Sequence, residues 1–229
     1  MIKICAISDL HGQFPDVIEP CNILFICGDI VPLRIQTNIP KSFNWFKKKF
    51  IPWCESLPVE QIYLIAGNHD FFAINDIKVI EYLEGTKVKY LYNDGDEYVD
   101  IVNGKIYKIW GSPNCHIFGN WAFMYSDALN KEVYSMMPDD LDFLITHDAP
   151  YGRNDVILQE DCSWADGSHI GNPALTEVIK EKKPEYHFTG HLHTTDHELK
   201  DYDGTLTACV SLLNENYEMA YKPLYLEIE

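Results

Sequence analysis

Residues 61–70 read Gln61-Ile62-Tyr63-Leu64-Ile65-Ala66-Gly67-Asn68-His69-Asp70. An apolar run bounded by glycine reads as a buried strand. The three polar residues after the glycine then fall where a sheet meets solvent, which is where open α/β sheets keep their chemistry. Alone, the tetrapeptide 67–70 is an ordinary polar turn. It gains meaning because four other apolar runs end in the same way.

Working outward, Ile2–Ser8 is an apolar run ending in Asp9-Leu10-His11-Gly12, and Ile23–Cys27 ends in Gly28-Asp29. Leu141–Ile145 ends in Thr146-His147-Asp148-Ala149-Pro150, and Tyr186-His187-Phe188 ends in Thr189-Gly190-His191-Leu192-His193. The continuous apolar character of these runs predicts strands buried on both faces. Five of the nine histidines fall at these ends. Singly, each polar residue has an ordinary reading as a turn or cap. Jointly, five turns that all deliver Asp, Asn or His are hard to explain as turns alone.

Between these runs the pattern predicts helices. Phe43, Phe46 and Phe50 recur at helical spacing within Pro40–Leu57, with Lys47-Lys48-Lys49 facing out as a solvated face. Further helices are expected over Asp76–Glu84, Ser126–Met137 and Pro173–Lys183. Lys87–Tyr92, Glu97–Val102 and Lys105–Trp110 alternate, and Asn103-Gly104 is a hairpin signal, so antiparallel pairs are expected from Lys87 onward. A last strand is expected over Pro223–Ile228. Gly111–Met124 and Tyr151–His169 read as loops that shape a pocket, their aromatics serving either packing or a substrate wall. No repeat, linker or cap domain is discernible, so 1–229 reads as one α/β domain with mixed sheets.

Composition narrows the chemistry. With 35 acidic and 18 basic residues the formal charge is −17, which repels nucleic-acid backbones and anionic membranes. Only Arg34 and Arg153 are arginines, so a phosphate would be held mainly by something other than guanidinium groups. The seven cysteines form no CxxC pair, and Cys5 and Cys27 sit inside expected strands, which suits reduced thiols. No apolar run approaches membrane-span length and no signal peptide opens the chain, so a cytoplasmic location is the expectation.

The strand-end residues offer imidazole nitrogen with carboxylate or amide oxygen and no thiolate. That donor set suits Mn, Fe, Co or Zn better than Mg or Ca. Seven candidates, Asp9, His11, Asp29, Asn68, His147, His191 and His193, are too many for one tetrahedral ion. Sharing one bridging carboxylate, they fill two sites of four protein ligands each. Paired metals about 3.5–4 Å apart are the usual machinery for in-line displacement at phosphorus.

The ordered set Asp9-Leu10-His11, Gly28-Asp29, Gly67-Asn68-His69-Asp70, Thr146-His147 and Gly190-His191-Leu192-His193 resembles the calcineurin-like metallophosphoesterase superfamily. Trp110-Gly111-Ser112-Pro113 with Asn120-Trp121-Ala122-Phe123, and Thr146–Gly152, are similar to its metallophosphoesterase domain-containing branch, whose members are phosphodiesterases of the class III cyclic-nucleotide type. The resemblance implies a four-layer αββα sandwich with two mixed sheets. It implies one metal on Asp9, His11, Asp29 and His193, and a second on Asn68, His147 and His191, bridged by Asp29; Mn or an Fe/Mn pair is favoured. It makes His69 a non-ligand catalytic residue that meets the phosphate or protonates the leaving oxygen. Asp70 is a candidate to orient His69 or to anchor the turn, and Asn68 and Arg153 are further substrate-binding candidates. Gly28-Asp29-Ile30-Val31-Pro32 lacks the arginine-bearing extension of the protein phosphatases, and Thr146 stands where glycine is common. The expected function is hydrolysis of small phosphate esters, diesters before monoesters. A non-catalytic binding module and a metal-storage protein are the alternatives.

Overall fold

The computed structural model describes residues 1–158 and 167–229. Strands β1 (Ile2–Ile7), β2 (Cys21–Cys27) and β3 (Val59–Ile65) run parallel and side by side. The chain between β2 and β3 forms α1 (Ile39–Trp45), a π-helical turn at Phe46–Phe50 and α2 (Ile51–Ser56). The expected Pro40–Leu57 helix is thus one helical segment with a widened turn. Pro52 explains it: proline has no N–H for the carbonyl four residues back and its ring crowds that carbonyl. The widened turn keeps Phe46 and Phe50 both buried.

Helix α3 (Asp76–Leu83) then returns the chain to β4 (Val88–Tyr90), which pairs in parallel with β3, Val88 opposite Ile62. The antiparallel pairing expected from Lys87 therefore starts later, because α3 makes a βαβ crossover here. It begins at β5 (Asp94–Val99) with β6 (Ile106–Ser112). β5 stops three residues before the expected end at Val102, because the Asp100 carboxylate accepts the Val102 N–H and turns the chain.

The remaining elements are β7 (Cys115–His116), β8 (Met124–Tyr125), α4 (Asp127–Tyr134), β9 (Phe143–Thr146), α5 (Pro173–Lys182), β10 (Tyr186–Thr189), β11 (Lys200–Tyr202), β12 (Thr205–Cys209) and β13 (Leu224–Ile228). β7 and β8 pair only with each other, and the other strands complete two mixed sheets, in the orders β13-β1-β2-β3-β4 and β11-β12-β10-β9-β6-β5. Strand periodicity of two then builds three apolar layers. Ile4, Phe25, Tyr63 and Ile65 meet Ile109, Phe143, Phe188 and Ala208 between the sheets. Cys5, Leu24, Ile26 and Ile62 face Phe46 and Phe50 on one outer side. Trp110 and Leu144 face Tyr134, Val178 and Ile179 on the other. The result is the αββα sandwich.

This topology collects the strand ends. β1, β2 and β3 are parallel, as are β6, β9, β10 and β12, so each sheet sends its carboxyl ends to one rim. A bridge between Ser8 and Ser211, and the Leu212 N–H donating to the Ser8 carbonyl at 3.1 Å, tie the two rims together.

Candidate metal centre

At the joined rims, Asp29 is central. Its Oδ2 lies 3.3 Å from His147 Nε2, 3.7 Å from His11 Nε2 and 3.8 Å from His69 Nε2. Its Oδ1 accepts the His69 N–H at 2.8 Å. Asp9 is the second focus. Its Oδ1 faces His193 Nε2 at 3.3 Å, while its Oδ2 accepts the Ser211 hydroxyl at 2.5 Å and the His191 N–H at 2.9 Å.

Two imidazoles are oriented in the same way. His147 Nδ1 is 2.7 Å from the Cys27 carbonyl and His193 Nδ1 is 2.8 Å from the Asn214 carbonyl. A carbonyl only accepts, so each Nδ1 carries a proton and each Nε2 points inward as the atom that can offer a lone pair to a metal. His147 Nε2 lies 3.0 Å from Asn68 Oδ1 and 3.3 Å from Asp29 Oδ2, two oxygens that only a proton or a metal on that nitrogen can reconcile with it. Asp9 Oδ1 and both ring nitrogens of His11 are buried without any hydrogen-bond partner. Buried polar atoms left unpaired, converging on one another, are what a cation would satisfy. The residues present fit metal binding.

Asp9, His11 and His193 offer ligand atoms within 4.8 Å of one another, as do Asp9, Asp29 and His147. The first trio lies within the first expected ligand set. In the second, Asp9 joins Asp29 and His147, so the two carboxylates lie closer to both positions than the expected partition had them. Asn68 stands against His147, and the His191 ring lies 5.2 Å from the His147 ring.

The electrostatics agree with ligand roles. Burial, opposed by Asp29 and Asp9, pushes the His11 imidazole down to about 4, so it is neutral with a lone pair free. Burial also brings His191 to about 4, helped by the charge of His147. Burial opposes ionisation of Asp9, yet His193 and the neighbouring imidazoles hold its carboxyl well below the usual range.

The backbone accommodates this crowding at a conformational cost. Asp9, His11, Asp29 and His191 all adopt positive φ, between 41° and 70°. Non-glycine residues held there are strained, and four of them at one rim mark it as a built site. Gly67 is required by close approach: a Cβ there would lie 2.2 Å from Asp29 Oδ1. Gly190 is required likewise, its Cβ falling 2.0 Å from Ser8 Oγ and 2.7 Å from Asp9 Oδ2.

His69 stands beside the ligands. Its ring packs edge-on to His11 at 5.1 Å and against Trp121 at 4.6 Å, and its Nδ1 is bonded to Gln36 Oε1. It lines a cleft of about 330 Å³ with Asp29, Trp121, His191, His193 and Tyr217. Asp70 does not touch the His69 ring. Its carboxylate, fully buried, accepts the N–H groups of Gly67 (2.9 Å), Val31 (3.0 Å) and Ile30 (3.1 Å), so it pins the turn after β3 to the turn after β2. Of the two roles considered for Asp70, the geometry corrects the catalytic one to turn anchor. Arg153 is also corrected: it is buried, turned to Asp203 Oδ2 at 3.3 Å and to the Tyr202 ring, and it lines neither this cleft nor the larger one beside it.

Three contributors escaped the sequence pattern: Gln36, Ser211 and the Asn214 carbonyl. None follows an apolar strand in a recognisable motif, so no periodic signal points to them.

The chain belongs to the calcineurin-like phosphoesterase family, whose model matches residues 2–195. This is a family of metal-dependent phosphoester hydrolases. Among curated relatives, human metallophosphoesterase domain-containing protein 1 is 25% identical over 247 residues, covering 99% of this chain and 71% of that protein. Human lariat debranching enzyme is 23% identical over 252 residues, covering 90% of this chain and 46% of that protein. Probable rhamnogalacturonate lyase C of Emericella nidulans is 26% identical over 208 residues; the match covers 84% of this chain and 17% of the fungal protein. Among solved structures, TT1561 of Thermus thermophilus superposes with a TM-score of 0.56 at 12% identity, covering 91% of this chain and 88% of that one. The phosphopantetheinyl hydrolase PptH of Mycobacterium tuberculosis does so with a TM-score of 0.53 at 13% identity, covering 94% and 90%. Both share the fold.

Proposed function

We propose that this protein is a two-metal phosphodiesterase acting on small, non-polymeric phosphate diesters. The observation that supports it most is the convergence of three Nε2 atoms on one buried oxygen, Asp29 Oδ2, with His69 beside them in the cleft. Asp9, His11, Asp29, Asn68, His147, His191 and His193 would hold Mn, Fe, Co or Zn, all suited to nitrogen and oxygen donors, with Mn or an Fe/Mn pair favoured by the family resemblance. When bound, the metal pair neutralises phosphoryl charge and makes water acidic enough to serve as nucleophile near neutral pH.

The protein's own groups supply the rest. Asp29 and Asp9 fix the positions of the imidazoles, and Asn68 adds an oxygen donor without adding charge. His69 hands a proton from Nε2 to the departing alkoxide while Gln36 holds Nδ1–H. Diesters are favoured over monoesters because no Lys or Arg lines the metal cleft among the described residues, so outside the metals only His69, committed to the leaving oxygen, could meet the second charge of a monoester. The charge of −17 supports a small substrate over a nucleic acid, and six described cysteines, all free and buried, accord with a reducing cytoplasmic setting. Among the described residues no helix is long and apolar enough to cross a membrane.

The deciding assay gives the Mn-loaded protein p-nitrophenyl diesters and p-nitrophenyl phosphate side by side. A kcat/KM at least about tenfold higher on the diester is expected. Preference for the monoester, or metal uptake without turnover of either, overturns the reading.

A further inference from the structure

A second and larger cleft, of about 800 Å³, adjoins the metal cleft. His191 and Phe118 line both, the two rings 5.0 Å apart, so the second cleft opens directly beside a metal-ligand candidate. Its other walls include Tyr151 and Ile170 and two imidazoles, His116 and His169. Neither histidine belongs to a strand-end motif.

Both are held by buried carboxylates. His116 Nδ1 lies 2.8 Å from Asp148 Oδ2, which also accepts the His116 N–H at 2.9 Å and the Asn172 amide at 3.1 Å. His169 Nδ1 lies 2.6 Å from Asp155 Oδ1, and Asp155 Oδ2 accepts the Gly171 N–H at 3.0 Å. Asp148 and Asp155 are 1% and 0% exposed. Fixing Nδ1 leaves Nε2 of each ring as the atom free for a ligand. Apolar walls with a few fixed polar atoms are the make-up of a small-molecule site.

His69, which serves the leaving oxygen, lines the metal cleft and not this one. The leaving alcohol and the second cleft thus have different neighbours. We propose that the second cleft binds the ester group that stays on phosphorus, an aromatic or other large apolar group bearing a hydrogen-bonding substituent that His116 and His169 read. This rests on the phosphodiesterase reading and deepens it, since the retained group is what a monoester lacks.

The test uses two diesters with the same leaving group, p-nitrophenolate, that retain either a methyl or a p-nitrophenyl group. Each kcat/KM on the Mn-loaded protein is divided by that ester's rate of alkaline hydrolysis. The wild type is expected to prefer the aryl-retaining diester by about tenfold or more. His116→Ala and Tyr151→Ala are each expected to shrink that preference to within about threefold, chiefly through KM. Tyr151 is half exposed, so its variant keeps the test open where His116→Ala, which takes the imidazole away from the buried Asp148, fails to fold. Equal handling of both diesters by the wild type, or a preference unchanged in the variants, overturns this inference and leaves the phosphodiesterase reading standing. Turnover of p-nitrophenyl phosphate alone overturns both.

Discussion

Gln36 Oε1 holds Nδ1 of His69, and it does so from the 3₁₀ turn after β2 rather than from the turn that carries His69. An amide oxygen can only accept, so this contact fixes the proton on Nδ1 and aims Nε2 at the Asp29 carboxylate and the cleft. Gln36→Leu removes the acceptor and leaves the ligands untouched. The expected result is a kcat about tenfold lower, with KM and metal content within about twofold of wild type. Gln36→Glu restores an acceptor at the same reach and is expected to recover most of the loss. If Gln36→Leu moves KM and not kcat, Gln36 serves binding and not the orientation of His69.

His69 separates catalysis from metal storage. It is the one candidate imidazole in the metal cleft to which no metal position is assigned. His69→Ala is expected to lower kcat by about 10²–10⁴-fold, the usual worth of a general acid. Elemental analysis is expected to find as much metal per chain as in the wild type. Full turnover with metal retained removes His69 from the chemistry, and lost metal makes it a ligand.

Asp70 is expected to show its role in stability. Burial, reinforced by the charge of Asp29, pushes its carboxyl up to about 7, against three backbone N–H groups that draw it down. Asp70→Asn keeps one oxygen for Ile30 and Val31 and loses the contact to Gly67. Asp70→Ala leaves all three donors unpaired in a buried place, each costing about 1–3 kcal/mol. Denaturant unfolding is therefore expected to rank wild type above Asp70→Asn, and Asp70→Asn above Asp70→Ala. Equal stability of the three would return Asp70 to the list of candidate catalytic groups.

The convergence of the candidate ligands was legible because each closes an apolar strand, and parallel strands deliver their ends to one rim whatever lies between them. Asp9, Asp29, Asn68, His147 and His191 come together for that reason alone. Gln36 was not legible, since a short 3₁₀ turn leaves no periodic trace and its partner is 33 residues away. Arg153 misled because charge and loop position say nothing about direction; its guanidinium turns to Asp203 and Tyr202. β4 misled because three residues are too few to show whether a strand pairs in parallel or antiparallel fashion. Part of the expected pocket loop Tyr151–His169, residues 159–166, lies outside the described residues, and Cys162 with it.

Gly67 sets the position of the Asp29 carboxylate. A methyl group there would sit 2.2 Å from Asp29 Oδ1 and 2.6 Å from His147 Cε1, far inside van der Waals contact. That same Oδ1 accepts the His69 N–H, so it cannot yield without breaking that bond or moving the turn. Gly67→Ala is expected to lower metal content from about two ions per chain to one or fewer, and to cost activity in proportion. Gly85→Ala, where no atom lies within 4 Å of the added carbon but φ is 80°, serves as the comparison for a strained backbone with an unaltered site. Two tightly held ions in Gly67→Ala would show that Asp29 does not bridge.

Metal loading is expected to displace a proton from His147. Its Nδ1–H is committed to the Cys27 carbonyl, and its Nε2 faces Asn68 Oδ1 and Asp29 Oδ2. Burial pushes this imidazole down, but the Asp29 charge and hydrogen bond, with Asp9 behind them, lift it to about 10 from an ordinary value of 6.5. The folded value lies above the unfolded one. The metal-free protein therefore has this stabilisation in full below pH 6.5 and loses it as pH rises through about 10. At pH 8 the proton still occupies the position a metal requires, so binding must expel it. Calorimetric titration of the chelator-treated protein with Mn at pH 8, in buffers of different ionisation enthalpy, is expected to report about one proton released per chain from this group. His147→Gln, which has no such proton, is expected to release about one fewer. Equal release from both proteins would mean that Nε2 of His147 is not where the metal binds.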